Sequence, residues 1–226
     1  MPKKHYSSGL AALLFAALLV PPVFAESAKF SDALCLDQGD CGDRLSISQL
    51  VNKARMGNAV AMSNLGMRYQ EGNGLLVDYD KAMFWYQSAF RRGNASAANN
   101  IGMLYWHGLG VKQDYAQAMQ WLQKAWDMSS ANGSQGGKKV SGAAAANIGS
   151  LYAHGFGVKQ DFKEAVAWYN KGMERGVYAA YSNAAVLYWE QGTPEEKDLA
   201  IELWRKAAGM GDSDAKEALR RLGKGA

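Results

Sequence analysis

The residues best suited to chemistry in this 226-residue chain are two histidines, His107 and His154. Each stands directly before a glycine, in segments of similar sequence, so the two occupy one repeated position. Two imidazoles could supply part of a zinc site, but such a site needs further ligands, and no cysteine or carboxylate stands between the two histidines at this repeated position. We therefore expect no metal and no cofactor here. The alternative role for each histidine is to close the turn at the following glycine.

Catalytic motifs are also scarce. A Ser-x-x-Lys pattern, which carries the nucleophile in β-lactamases, occurs at Ser213-Asp214-Ala215-Lys216. Ser and Asp are expected there as caps at the start of a helix, and no Lys-Thr-Gly accompanies them. Gly-x-Ser-x-Gly and His-Glu-x-x-His are absent from the sequence. The sequence therefore predicts that the protein is not an enzyme.

The two cysteines, Cys35 and Cys41, lie in a polar, non-repetitive stretch. They are six residues apart, which is not the Cys-x-x-Cys redox spacing, and no histidine lies near them to complete a metal site. In an exported chain such a pair is expected to form a local disulfide. Asp37, Asp40 and Asp43 resemble a calcium loop but lack the closing Glu, which favours a solvated acidic turn.

Residues 1–25 have the composition of a secretory signal peptide. Lys3 and Lys4 form a positive start, Leu10 to Val20 is a short apolar run, and Val23-Phe24-Ala25 offers a cleavage site. A transmembrane anchor is the alternative, but the apolar run is too short to cross a bilayer and ends at Pro21-Pro22. We expect cleavage and therefore no membrane span in the mature chain.

Charge excludes one class of partner. The formal net charge is +4, and without Lys3 and Lys4 the chain has 23 basic and 21 acidic residues, or +2. The basic residues are scattered along the chain and do not form a stripe, so no nucleic-acid partner is expected.

The segment around His107 has the pattern of two helices joined by a tight turn. Apolar residues recur on one helix face before the turn, at Ala97, Ile101 and Tyr105. Gly108 and Gly110 then supply turn conformations that other residues resist, and Asp114 is a good N-cap for the next helix. A second apolar face follows at Ala118, Trp121, Leu122 and Ala125.

This helical pair occurs in copies. Shifting it back by 36 residues, or forward by 47, superimposes the turn glycines, the Asp cap and a tryptophan. A weaker fourth copy follows after a further 36 residues, where Thr193-Pro194 begins the second helix. The tryptophans of the copies form a column, and so do the tyrosines that precede each turn. We predict that both columns belong to the hydrophobic core: Trp85, Trp121, Trp168 and Trp204, and Tyr69, Tyr105, Tyr152 and Tyr188. The longer step of 47 residues is explained by the Gly/Ser/Lys-rich run Ser129 to Lys139, which we predict to be a mobile loop.

The repeated pattern Ala-x-x-x-Leu-Gly-x-x-Tyr-x-x-Gly-x-Gly-Val-x-x-Asp-Tyr-x-x-Ala-x-x-Trp resembles the Sel-1-like repeat, a relative of the tetratricopeptide repeat. The resemblance covers roughly Arg44 to Leu222. It implies an all-α, right-handed superhelical solenoid of about four helix-turn-helix repeats, and the family mostly scaffolds protein contacts. A fold of this kind does not by itself define a site.

The expected organisation follows from these segments. A signal peptide (1–25) precedes an N-terminal segment with the disulfide (26–45) and the solenoid (46–222). The repeats are expected at about 58–92, 94–129, 142–175 and 177–209, with a terminal cap helix at 212–222. The positively charged start and the repeat family together suggest a periplasmic or secreted bacterial protein.

A column of asparagines is the main candidate for partner binding. Asn64, Asn100, Asn147 and Asn183 occupy one position in all four first helices, off the packed face. In related solenoids the first helices line the concave groove, and asparagine there holds the backbone of an extended peptide, since an amide both donates and accepts. The alternative is that each amide bonds within its own repeat or to the backbone of a neighbouring repeat. Neighbouring candidates are Met67, Met103, His107 and His154.

The function predicted from these features is a non-catalytic scaffold of the bacterial envelope that binds an extended polypeptide in its concave groove. The alternative function is that of a hydrolase or ligand-binding protein acting on peptidoglycan or β-lactam substrates. It is suggested by the resemblance, since some extracytoplasmic members of the family have been linked to β-lactam binding.

Overall fold

The structure, a computed structural model, describes residues 45–131 and 134–224. The predicted signal peptide and the Cys35–Cys41 disulfide lie outside these residues. The described residues form ten helices and no strand, which confirms the predicted all-α solenoid. The helices are α1 Ile47–Arg55, α2 Ala59–Glu71, α3 Tyr79–Phe90, α4 Ala95–His107, α5 Tyr115–Ser130, α6 Gln135–His154, α7 Phe162–Glu174, α8 Tyr178–Gln191, α9 Pro194–Gly209 and α10 Ser213–Arg221.

Helices α2 to α9 form four consecutive pairs, and the first three pairs close their turns in the same way. Each first helix ends at a glycine in the left-handed conformation, which is unfavourable for other residues. The next Asp then donates its N–H to a carbonyl of the first helix, as Asp114 does to Tyr105 at 2.9 Å. Its side chain caps the second helix, as predicted for Asp114, which accepts from the Gln117 N–H at 2.9 Å.

The stack is packed more closely on the side of the first helices. The first helix α6 contacts both α4 and α8, whereas neighbouring second helices share few contacts. Each second helix instead packs between its own first helix and the first helix of the following pair. In the middle of the stack the first helices α4, α6 and α8 lie close together while the neighbouring second helices stand apart, so this part of the stack curves with its first helices on the inner side.

Within each of the first three pairs, a glycine lets the two helices approach. A Cβ built on Gly66 would lie 2.7 Å from the Tyr86 ring, and one on Gly149 would lie 2.7 Å from the Tyr169 ring. Leu122 takes the equivalent place in the second pair. These three second-helix residues are buried and form the centre of the core of their pairs.

The tryptophan column is core in part. Trp168 is 8% exposed and Trp204 is 3% exposed, whereas Trp85 and Trp121 are half-buried and pack at the edge of a core cluster. The four tyrosines before the turns are half-buried as well. In the first three pairs, the most buried large side chain of the second helix is thus the residue that follows the tryptophan.

The fourth pair is displaced by one residue from the predicted alignment. Buried residues of α7 are Ala165, Trp168, Tyr169 and Gly172, and those of α9 are Ala200, Leu203, Trp204 and Ala207. The spacing is the same, but the offset is 35 residues, not 36. Trp204 therefore occupies the place of Tyr169, and Leu203 that of Trp168. The cause is the two-residue connection Gly192–Thr193, which replaces the longer Gly-x-Gly turn.

The prediction of a mobile loop at Ser129 to Lys139 was wrong. Helix α5 continues to Ser130, and α6 begins at Gln135, capped by the Ser134 side chain. Helix α6 is 20 residues long, against 13 in α2 and α4. Two serines of this stretch bond to the backbone of their own helices. The buried Ser129 donates to the Ala125 carbonyl at 2.5 Å, and Ser141 donates to the Gly137 carbonyl at 3.0 Å.

Across residues 45–131 and 134–224, no helix combines the length and the apolar character needed to cross a bilayer.

Candidate functional site

The predicted partner-binding residues share one face of the first helices. Met67 and Met103 lie three residues after an asparagine of the column, and His107 and His154 lie seven residues after one. They differ in access. Asn64, Asn100, Asn183 and Met67 are half-buried, whereas Asn147 is 6% exposed and Met103 7% exposed. The groove is therefore most open to a partner away from its middle.

Two of the asparagines belong to networks around a buried tyrosine. The Tyr86 hydroxyl donates to Gln70 Oε1 at 2.9 Å. Burial raises the pKa of this hydroxyl, and the Asn100 side chain, a potential hydrogen-bond partner beside it, lowers that pKa. At the equivalent place in the third pair, Asn183 Nδ2 donates to Ser150 Oγ at 3.2 Å, and Ser150 Oγ lies 3.1 Å from the Tyr169 hydroxyl. Each network joins one pair to the next.

The Ser150 network has a defined direction. Ser150 Oγ lies 3.1 Å from the Ala146 carbonyl, which can only accept a hydrogen bond. A serine hydroxyl carries one proton, so the Ser150 oxygen accepts from both Tyr169 and Asn183. Burial raises the pKa of the Tyr169 hydroxyl well above its usual range, and nearby Glu190 raises it further. The Tyr169 hydroxyl thus remains a neutral donor inside the stack.

Asn147 has a different partner because the second pair lacks the tyrosine. Leu122 occupies the place of Tyr86 and Tyr169 and offers no hydroxyl. Asn147 Nδ2 donates instead to Asn99 Oδ1 at 3.3 Å, from α6 to α4. Asn100, Asn147 and Asn183 therefore each have a side-chain partner in a neighbouring repeat, where the sequence alternative had expected the backbone.

Asn64 differs from the other three. It is half-buried on α2, and its side chain makes no hydrogen bond to any residue in the described part of the chain. Met67 stands one turn further along the same face, also half-buried. The first pair thus offers an amide with unused donor and acceptor beside an apolar side chain.

The two histidines lie at the C-terminal ends of α4 and α6. His154 is exposed, stacks on Phe156 at 5.2 Å and holds Nδ1 2.9 Å from the Ser150 carbonyl, so Nδ1 carries the proton. His107 is half-buried, and burial lowers its pKa. No three His, Cys, Asp or Glu side chains among the described residues come close enough together to hold a metal ion.

The Ser-x-x-Lys pattern lies far along the chain, at the start of α10. Asp212 caps this helix by accepting from the N–H groups of Asp214 and Ala215. Ser213 and Lys216 are exposed, and the structure shows no hydrogen bond between their side chains. The arrangement is that of a helix start, as expected from the sequence.

Sequence reasoning did not identify the residues that bond to the asparagines. Tyr86 and Tyr169 follow tryptophans at one repeated position, which was a readable signal, but Asn99, Ser150 and Gln70 share no residue type with their equivalents in other pairs. Those contacts required the structure.

Comparison with known proteins agrees with this architecture. The family model for the Sel1 repeat matches residues 59–94, 95–130, 142–177 and 179–212, which together make up more than half of the chain. The comparison with curated proteins found no match.

Two solved structures are similar over most of the chain. A Sel1 repeat protein from Oxalobacter formigenes is 30% identical, with a TM-score of 0.65, and the match covers 76% of this chain and 64% of that one. A protective antigen present in uropathogenic Escherichia coli strains, displaying an SLR fold, is 33% identical, with a TM-score of 0.61. That match covers 78% of this chain and 36% of the antigen. The chain thus spans less than two thirds of either structure. With four matched repeats stacked as one solenoid, the chain belongs to the Sel1 repeat family.

Proposed function

We propose that this protein is a non-catalytic scaffold whose concave groove holds an extended segment of a partner protein. Sel1 repeat proteins are generally protein-interaction scaffolds. The observation that supports the groove as the contact surface is Asn64, the one amide of the column with its hydrogen-bonding capacity unused. A peptide backbone presents both N–H and C=O, and a free amide can pair with both.

The contributions of the other groove residues follow from their access. Met67 and the half-buried Val186 supply apolar contact near the two ends of the groove. His107 and His154 stand at the rim, where the exposed His154 ring offers Nε2 to the partner. Asn100 and Asn183 can use whatever lone pairs and N–H groups their internal bonds leave. Asn147 and Met103 support the groove from beneath its surface.

We expect Asn64→Ala to weaken partner binding roughly two- to ten-fold, the loss of about one hydrogen bond of 0.5–1.5 kcal/mol. The partner is first identified by placing a photo-crosslinking residue at Met67 in the groove. The control position is Met56, which is 88% exposed at the end of α1. The crosslinked segment, made as a peptide, is then titrated against the variant.

The matched control is Asn52→Ala, since Asn52 is an exposed amide on α1. It should leave affinity and unfolding unchanged. Equal crosslinking from Met56 and Met67, or equal weakening by Asn52→Ala and Asn64→Ala, would place the contact outside the groove. Asn147→Ala should instead lower the urea midpoint, because its bond joins α6 to α4.

We further propose that the mature protein is exported to the periplasm or beyond the cell, with Cys35 and Cys41 bonded. The lysine-led apolar start, the Val-x-Ala site and the isolated cysteine pair support this. The intact mass of the exported protein should correspond to a chain beginning at Glu26 with two fewer hydrogens than the reduced form. A chain that keeps Met1, or two thiols that react with an alkylating agent before reduction, would contradict the proposal.

A further inference from the structure

The second helices carry the same group of side chains at two successive junctions of the stack. At the first junction, the Phe90 and Trp121 rings meet edge to face at 5.0 Å, and Lys124 Nζ lies 4.0 Å from the Trp121 ring centre. At the next, the Trp126 and Trp168 rings meet edge to face at 5.4 Å, and Lys171 Nζ lies 3.5 Å from the Trp168 ring centre. The same ring pair and the same lysine contact therefore recur at both junctions.

These rings fill the space that curvature opens between neighbouring second helices. Trp121 and Trp126 flank the same contact between Ala98, Ala125 and Ala144, so the two junctions are continuous. Both tryptophans remain half-buried and keep part of the indole accessible. The arrangement does not recur at the third junction, where the equivalent residues are Met173 and Leu203. The surface is therefore limited to the middle of the molecule.

Three cationic side chains lie against these rings. Lys171 Nζ also lies 5.6 Å from the Trp126 ring centre. Arg175 directly follows α7, and its Cζ lies 5.5 Å from the same ring centre. No carboxylate in the described part of the chain forms an ion pair with Lys124, Lys171 or Arg175. The nearest acidic residue in sequence to Trp126, Asp127, accepts from the Gln123 side chain at 3.0 Å. Contact with a ring face leaves the N–H groups of a cation free to bond an acceptor.

We propose that Trp121, Lys124, Trp126, Trp168, Lys171 and Arg175 form a second docking surface, for an acidic segment of a partner protein that carries aromatic or apolar side chains. Carboxylates pair with the three cations, and the apolar side chains cover the accessible indole edges. Charge complementarity selects the occupant. An anionic membrane is disfavoured because the tryptophans pack against one another and Trp168 is only 8% exposed, so no ring projects for insertion. This surface lies on the second helices and does not depend on the groove.

The test uses charge reversal with a control in the same two repeats. A short fluorescein-labelled peptide of repeated Glu-Glu-Phe should bind the purified protein, as measured by anisotropy. Lys124→Glu with Lys171→Glu should weaken binding about ten-fold or more. Lys112→Glu with Lys159→Glu changes the charge equally at exposed turn positions of the same repeats and should change affinity by less than about two-fold.

Three results would overturn the proposal: equal loss in both double variants, equal binding of a Lys-Lys-Phe peptide, or binding of phosphatidylglycerol vesicles without binding of the acidic peptide. Lys124→Gln with Lys171→Gln, checked by urea unfolding, removes the attraction without adding repulsion. It should weaken binding less than the reversal but more than the turn control, which separates docking from a general loss of fold.

Discussion

Gly157→Ala is expected to lower the free energy of unfolding by about 2–6 kcal/mol, from backbone strain and overpacking together. Gly157 has φ of 68°, where a side chain is strained. A Cβ there would also lie 2.7 Å from the Ala116 nitrogen and 2.7 Å from the Tyr115 carbonyl carbon. These are backbone atoms at the start of the preceding second helix, so they cannot move aside as a side chain could.

The measurement is a urea unfolding curve with a matched control. Gly176 has φ of 72° but nothing within 4 Å of a Cβ built on it. Gly176→Ala should therefore show the strain alone, about 1 kcal/mol. The difference between the two variants isolates the contact between the turn and the neighbouring repeat. Similar midpoints for both would mean that the turn does not hold the repeats together.

The second large effect is expected at Tyr169, and a smaller one at Trp121 of the tryptophan column. Tyr169→Ala removes a ring that is 2% exposed and should cost about 3–5 kcal/mol. It also deprives Ser150 Oγ of its bond from the tyrosine hydroxyl. Trp121→Ala removes a half-buried ring and should cost less, about 1–3 kcal/mol, because part of the indole is already in water.

Tyr169→Phe separates the ring from the hydroxyl. It keeps the contact with Gly149 and loses about 0.5–1.5 kcal/mol with the hydrogen bond. The three variants should therefore rank in stability with Tyr169→Phe highest and Tyr169→Ala lowest. A larger loss for Trp121→Ala than for Tyr169→Ala would show that the tryptophan is the central core residue of its helix.

The two errors made from the sequence have one physical origin. The run 129–139 lacks an apolar period, and that absence was taken to predict a loop. In the structure α5 reaches Ser130 and α6 begins at Gln135, with Ser129 and Ser141 bonded to carbonyls of their own helices. Trp204 was aligned by its residue type, but the short Gly192–Thr193 connection moves the helix by one position. Helix continuation and phase depend on packing against neighbours, which a local pattern does not contain.

The sequence by itself determined the repeat, the Gly-x-Gly turns and the Asp-capped helix starts that follow them. These features depend on residues at most about two turns apart, such as Asp114 capping its own helix, and local interactions are readable from spacing. Only the tertiary structure decided which groups the asparagine side chains bond to. Whether an amide stays free like Asn64 or bonds like Asn147 depends on which residue the next pair brings alongside it. Leu122 in place of a tyrosine changes that partner, because hydrogen bonds between repeats depend on distances across the stack and not along the chain.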